Sequence, residues 1–544
     1  MEKHNNQINT LKRILWQERT LFFVVLAVNL SYVFSMKFFP SLDGPAHLHN
    51  SKVLFDLFKG SQAVLNEFFS INAFYLPNWF SHIMLGALGS IMPAWLAEKI
   101  FLAGYLVGIA YSFRLLVKQL SPDNLHLTVL IFPFAYTHLF CIGFYNYSFS
   151  FIFLFLTLYY WLKTKGNRRL KELVILSAWI TLTYFSGILT YGFLGIILGV
   201  TICINQVKEF VVSRDAKKRL TALGKELGML FLISLPSLLM MAAFFYQADF
   251  LPAGKGYSGS ELLNWLNDGR ILIAYVFSWE VIYTRSIIHI ILIIIAFDLF
   301  FRYKDFRKGD RSSIYRPADI LLIPILVSII LYFAVPDDSG ARMMTWRFLA
   351  LFYLLLIVWI ASARLEKGPS KVLALLIVLL HFGLLANHNK AIKGGIAEHA
   401  KAINLASSYI EKGSVVLPVN LSDNWLELHF ASYLGVDKPL VILENYETDV
   451  GWFPVQWKDS LPDLRLGDQS TLKHLNWKRT ATTQEKRPID FVFVYGNLSK
   501  LKEKKWDDLN EMLIQHYQVV SSSDKNYFVV YRSNLKRVNS DKPQ

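Results

Sequence analysis

The sequence predicts a polytopic α-helical membrane protein that ends in a separate α/β domain. Three observations predict it. The 544 residues are 53% hydrophobic and only 18% charged, against about 25% charge in soluble domains. Apolar runs of span length recur up to position 387. From His388 onward, short strand-like runs alternate with helical ones. Mean hydropathy is +0.34. Aromatic content of 15% excludes a disordered chain. Only Cys141 and Cys203 occur, which excludes a disulfide scaffold, and both are expected to be buried thiols.

The candidate spans are Leu21–Met36, Trp79–Met92, Ile100–Val117, Leu125–Phe140, Tyr147–Leu162, Leu173–Phe185, Leu189–Ile204, Leu227–Tyr246, Ile287–Phe301, Ile320–Val335, Phe348–Ser362 and Val372–Ala386. Allowing for soft boundaries, about 11–13 spans are expected. The first run is long and lacks a small-residue cleavage site, so it reads as a retained span. Ile271–Arg285 is apolar but holds Glu280 and Arg285, and reads as an interfacial or re-entrant helix.

Orientation follows from charge. Basic clusters occupy the N-terminus (Lys3, Lys12, Arg13, Arg19), the loop Lys163–Lys171, the stretch Lys208–Lys225, the loop Arg302–Arg316, and Arg364, Lys367 and Lys371. The positive-inside rule makes these cytoplasmic. The segments 37–78, 247–286, 336–346 and everything after Ala386 are then external. The count from the N-terminus to Lys163 is odd although both ends are basic, so one segment between Pro77 and Leu162 is re-entrant, merged or miscounted. The net charge of +15 is thereby explained by insertion, and nucleic acid is not expected as a partner.

Two domains result: 1–387, a membrane domain with a first external loop at 37–78, and 388–544, an extracytoplasmic α/β domain. In the second, Ala397–Glu411 and Trp506–His516 read as helices. Ser414–Val419, Leu440–Leu443, Asp490–Tyr495, Tyr517–Ser521 and Tyr527–Tyr531 read as strands. Glu444-Asn445-Tyr446-Glu447 and Gly451-Trp452-Phe453-Pro454 follow a strand, where α/β domains bind ligands; packing on the membrane domain is the alternative. GxGxxG, P-loop, CxxC and GxSxG motifs are absent.

The first external loop carries the most chemistry. Asp43-Gly44-Pro45 is a helix start, with an acidic N-cap and proline in the first turn. Val53, Leu54, Leu57 and Phe58 then recur at helical spacing, giving an amphipathic helix suited to the membrane surface. Asp43 either caps this helix, faces a cavity, or does both. This loop resembles that of the GT-C glycosyltransferases, which place an acidic residue just beyond the first span and follow it with amphipathic helices. The whole layout is similar to bacterial relatives of protein O-mannosyltransferases and lipid A aminoarabinose transferases. Their loops commonly carry two acidic residues together. Here Gly44 follows Asp43, so Asp43 alone maps.

The resemblance implies sugar transfer from a polyprenyl-phosphate donor to an acceptor hydroxyl at the outer face of the membrane. Asp43 would be the base that takes the hydroxyl proton. Cations would stabilise the departing phosphate, and arginine suits that role. Arg342 and Arg347 lie in an external loop with Asp337 and Asp338, where positive charge runs against the inside bias. Phosphate binding and pairing with those aspartates are the two readings. Arg270 and Arg285 are further candidates.

Asn78 and His82 are four apart at the start of a helix and would share a face. With His47 and His49, near the catalytic candidate Asp43 in the same loop system, they form the remaining candidate substrate-binding set. The D-x-x-x-H-x-H spacing is compatible with a divalent metal but is not a standard ligand pattern, so no cofactor is assigned. The expected partners are membrane lipids, the lipid-linked donor and an acceptor the sequence does not identify. A transporter or flippase of lipid-linked glycans is the alternative; it needs charge at the membrane midplane, where Asp298 and His289 are the exceptions. A non-catalytic scaffold, which would tolerate loss of Asp43, is the third reading.

Overall fold

The computed structural model describes residues 17–248, 252, 254–309, 315–363, 365–458, 489–523 and 526–534. Lys3, Lys12, Arg13, Arg311 and Arg364 of the basic clusters lie outside these. Contacts divide the chain into two compact units, Met1–Ser35 with Leu102–Ala391, and Met36–Phe101 with Ile392–Gln544. The expected boundary at 387/388 lies close to the division at 391/392. The segment 37–78, however, belongs to the same unit as the C-terminal region.

The first unit is helical and belongs to a multi-pass membrane protein. Among the described residues six helices are long and apolar enough to cross a membrane: Ala94–Leu120, Ile188–Val211, Ala216–Gln247, Phe277–Arg307, Pro317–Ala334 and Lys367–Lys393. Met344–Ile360 is apolar but shorter. Sequence neighbours pack in pairs, including Tyr145–Lys163 on Leu170–Ser186 and Leu322–Ala334 on Met344–Ile360.

Several expectations change here. The run Leu125–Phe140 is broken into a 3-10 turn Pro122–Leu130 and two short helices, Ile131–Ala135 and His138–Cys141. The break has a local cause: Thr137 Oγ1 accepts the Phe140 N–H at 3.2 Å and starts a new helix. Ile271–Arg285 is neither interfacial nor re-entrant as a unit. Most of it is the opening of the long helix Phe277–Arg307. Glu280 is tolerated in this apolar stretch because its carboxylate accepts the backbone N–H groups of Ala274 (2.6 Å) and Val276 (2.8 Å), closing the helix start. Cys141 is buried as expected, but Cys203 is exposed on its helix.

Asp298 is not a lone midplane charge. Arg302 Nε lies 2.8 Å from its Oδ2, and Arg316 pairs with Oδ1. The Arg302 guanidinium also takes both oxygens of Asp319 at 2.8 and 2.9 Å. His289 is exposed, with Nε2 3.2 Å from Asn267 Oδ1.

The second unit is built on a mixed sheet. Seven strands are described: β1 (Phe69–Ile71), β2 (Val415–Leu421), β3 (Val441–Ile442), β4 (Val455–Trp457), β5 (Phe491–Gly496), β6 (Tyr517–Ser522) and β7 (Phe528–Ser533). Five of them form one sheet in the order β3-β2-β5-β7-β6. β2 is parallel to β3 and β5, and β5–β7–β6 is antiparallel. β2 and β5 are buried throughout apart from Asn420, which explains their continuous apolar sequences. The expected C-terminal α/β domain is therefore present. β1 of the first loop pairs antiparallel with β4, Phe69 opposite Trp457, with stacked rings 4.6 Å apart. This pairing ties the first loop to the C-terminal region.

Trp79–Met92 is not a span. The helix there is Trp79–Gly89, 11 residues, about 16 Å long against the roughly 30 Å hydrocarbon core. Its apolar residues serve packing instead, against the helix Gly44–Lys59. Gly86 makes that approach close: a Cβ there would stand 2.2 Å from the Phe55 ring.

Candidate functional site

The helix Gly44–Lys59 organises the site. Pro45 in its first turn and left-handed Gly60 at its end fix its limits. Its polar face is not solvated: His47, His49, Asn50 and Ser51 are buried beside Val53 and Leu54. That overturns the reading of a helix lying on the membrane surface. Asp43 holds the N-cap position but its side chain makes no capping bond. Ser41 Oγ accepts the Gly44 N–H instead, at 3.2 Å. The Asp43 carboxylate is left for other partners.

Two clusters adjoin this helix start. In the first, Glu447, fully buried, sits between two imidazoles. His47 Nδ1 is 2.6 Å from its Oε1, and His82 Nε2 is 2.7 Å from its Oε2. Asn50 Nδ2 donates to the same Oε2 at 2.8 Å, and Asn50 and Asn445 exchange amide hydrogen bonds at 2.9 and 2.7 Å. Phe453 packs against both imidazole rings. Burial pushes the Glu447 carboxyl up, but the two histidines outweigh it and hold the group below the usual carboxylate range.

In the second cluster, His429 Nδ1 is 2.7 Å from Glu444 Oε1, and its Nε2 is 3.9 Å from Asp43 Oδ1. Tyr446 stacks on the His429 ring at 4.5 Å and neighbours the Asp43 carboxyl. Burial raises the Asp43 pKa, with His429 and His47 pulling it back in part. Burial lowers that of His429, but the Glu444 carboxylate wins and holds it above the ordinary imidazole value. The result is a buried carboxylate of increased basicity beside an imidazole that can carry positive charge.

No family model matches this sequence, and no curated protein matches it. Solved structures do match its fold. The apo structure of ArnT from Cupriavidus metallidurans aligns with a TM-score of 0.53 at 13% identity, over 94% of this chain and 97% of that one. The structure of ArnT from the same organism bound to undecaprenyl phosphate aligns with a TM-score of 0.53 at 13% identity, over 96% of this chain and 99% of that one. The chain has a GT-C-like fold.

Within this GT-C-like chain, the sequence-derived site residues separate. Asp43, His47 and His82 share the buried site described above. His49, two residues from His47, points elsewhere: its Nε2 lies 3.1 Å from Leu440 O and its ring packs against Gly435. Burial lowers its pKa to about 4, so it is a neutral packing residue. Asn78 does not share a helical face with His82. It precedes the helix in a left-handed conformation, φ 70°, and turns the chain into it.

Arg342, Arg347, Asp337 and Asp338 belong to the membrane unit. Asp337 Oδ1 accepts the Thr345 N–H at 3.0 Å, and Asp338 Oδ1 the Met343 N–H at 3.1 Å. The two aspartates thus shape the turn. The Arg347 guanidinium lies over the Phe144 and Tyr147 rings, and Arg342 is exposed. Arg270, in the same unit, lies among Trp265, Phe277 and Trp346, at 5.9, 5.0 and 5.6 Å from their ring centres. Its Nε has no hydrogen-bond partner among the described residues.

Of the residues the structure adds, Glu444 and Glu447 lie in the post-strand loop that the sequence singles out. His429 is different. Nothing in Leu426-Glu427-Leu428-His429-Phe430 separates it from a packing histidine, and only the fold brings it to Asp43.

Proposed function

We propose that this GT-C-like protein is a membrane glycosyltransferase. It moves a sugar from a polyprenyl-phosphate donor to an acceptor hydroxyl on the extracytoplasmic side. One observation carries the reading: the buried Asp43 carboxylate, uncommitted to its helix, faces His429. The fold supports it, as does the lipid phosphate bound in the ArnT structure.

In this mechanism the acceptor O–H gives its proton to Asp43 as the oxygen attacks the anomeric carbon. The bond from that carbon to the lipid phosphate oxygen breaks, and the phosphate leaves with its negative charge. Raised basicity suits Asp43 to the proton step. For the phosphate, the candidate cations are Arg342, Arg347 and Arg270; the Arg270 guanidinium has a donor without a partner among the described residues, in an aromatic surround.

The same reading gives an orientation. With Trp79–Gly89 too short to span, the segments Glu18–Phe34, Ala94–Leu120, the broken 122–144 and Tyr145–Lys163 make an even number of crossings. The N-terminus and the Lys163–Lys171 loop then lie together in the cytoplasm, and the C-terminal unit outside. Transport of lipid-linked glycans fits less well, because Asp298 is closed within an ion-pair network.

The test is transfer from a radiolabelled polyprenyl-phosphate sugar by purified protein. Asp43→Asn is expected to lower the rate on the order of 100-fold or more. Full activity in that variant removes Asp43 as the base. No activity of the unaltered chain with any lipid-linked donor overturns the enzyme reading and favours a scaffold.

A further inference from the structure

We propose that His47, His82 and Glu447 bind one zinc-type divalent cation, which fastens the helix following Asp43 to the C-terminal segment. The three side chains are buried, and their ligand atoms all lie within 4.8 Å of one another. They come from three separate places in the chain: the helix Gly44–Lys59, the helix Trp79–Gly89 and the short helix Tyr446–Asp449. All belong to the same compact unit.

The donor chemistry selects the ion. Two imidazole nitrogens and one carboxylate oxygen form the set that zinc takes in open three-ligand sites. Calcium and magnesium want six or more oxygens and are poorly served by two histidines. Ligands at about 2.0–2.1 Å from a tetrahedral ion stand roughly 3.4 Å apart. The present N···O separations of 2.6 and 2.7 Å would open by less than about 1 Å, a side-chain adjustment.

The surroundings are those of a supported site. Asn50 holds Glu447 Oε2 at 2.8 Å and is itself locked to Asn445. Ser81 Oγ lies 3.4 Å from His82 Nδ1, opposite the ring nitrogen that faces Glu447. Such partners orient ligands in metal sites. A fully buried carboxylate also needs compensating charge. Among the described residues no lysine or arginine pairs with Glu447; a dication held by His47 and His82 as neutral ligands would supply that charge in place of their protons.

The consequence is positional. The His47 N–H bonds to the Asp43 carbonyl at 3.0 Å, one turn apart. Fixing His47 to His82 and Glu447 fixes that turn. The ion acts here as a staple, and Asp43 is not among its ligands. The proposal is independent of the transferase reading, because its measurements do not need a sugar donor.

The test uses the full chain, purified in detergent without chelator. Elemental analysis is expected to give about one zinc per chain. Cobalt(II) is expected to replace it and give the visible absorption of a tetrahedral N/O site. His82→Ala and Glu447→Gln are expected to lower metal occupancy at least tenfold. If those variants fold poorly, the unaltered chain decides: stripping zinc with dipicolinate should lower its Tm, and added zinc should restore it. Three results overturn the proposal: no bound zinc with no cobalt spectrum, unchanged occupancy in the variants, or an unchanged Tm after the ion is removed. Zinc present without transfer activity would leave the staple standing and defeat only the enzyme reading.

Discussion

His429 presents Nε2 to Asp43 Oδ1 at 3.9 Å, while its other ring nitrogen is held by Glu444 at 2.7 Å. The clamp fixes which nitrogen faces Asp43, in the manner of a base oriented by a third group. His429 is therefore a positioning residue for Asp43. His429→Gln is expected to lower the transfer rate by about tenfold, equal to about 1.4 kcal/mol. Glu444→Gln should do the same in part, because the imidazole remains but its orientation loosens. A kcat loss with an unchanged donor KM checks this; a pure KM change would argue against positioning.

Arg270 gives a contrasting expectation. Its guanidinium lies among aromatics with Nε unpartnered among the described residues, which suits a phosphate ligand more than a structural ion pair. Arg270→Lys keeps the charge but loses the planar fork. The donor KM is expected to rise by about tenfold. An unchanged KM removes Arg270 from the donor site.

Gly435 tests packing without touching chemistry. A Cβ there would meet the His49 ring at 2.4 Å, and His49 is pinned by Leu440 O. Gly435→Ala should lower stability by about 1–3 kcal/mol, as overpacking does. Thermal unfolding measures it. An unchanged Tm would mean that the His49 ring can move freely.

Glu427 makes stability depend on pH. It is buried, with His399 Nδ1 2.7 Å from Oε1 and the Tyr527 hydroxyl donating to Oε2 at 2.7 Å. Burial alone would raise its pKa, but the hydrogen bonds from His399, Ser422 and Tyr527 outweigh burial and lower it from 4.5. A lowered folded-state pKa gives stability that is fully present above the unfolded value and is lost as pH falls through the folded one. Unfolding midpoints should therefore fall as pH drops below about 4.5. Glu427→Gln should be less stable near neutrality and lose this part of the acid dependence. A variant with an unaltered pH profile would refute the assignment.

The charge network of the membrane unit gives a last expectation. Asp298→Ala takes from Arg316 its carboxylate partner and leaves Arg302 to Asp319. Breaking a buried pair from one side costs about 3–5 kcal/mol. The loss should appear in thermal unfolding of the whole chain in detergent. A drop under about 1 kcal/mol would place the network in a wetter setting.

Much was legible in the sequence, because the signals involved are local. Span-length apolar runs, basic clusters and the alternating texture after His388 state where helices and strands form. Asp43 stood out as an acid just beyond a span. The sequence could not say that Trp79–Gly89 packs against another helix instead of crossing lipid, because apolar residues serve both ends equally well. Nor could it separate His47 from His49. Two residues apart on a helix, they point in different directions, one to Glu447 and one to Leu440.

Local pattern alone establishes a multi-pass membrane chain with an α/β end and an acidic residue in the loop after its first apolar run. What surrounds that acid depends on the fold. Glu447 comes to His47 and His82, and His429 comes to Asp43, across more than 350 residues of chain. Those contacts are made by β1 pairing with β4 and by a polar helix face buried against the C-terminal segment. Local spacing carries no record of such pairings, which is why the site's second half is found only in the fold.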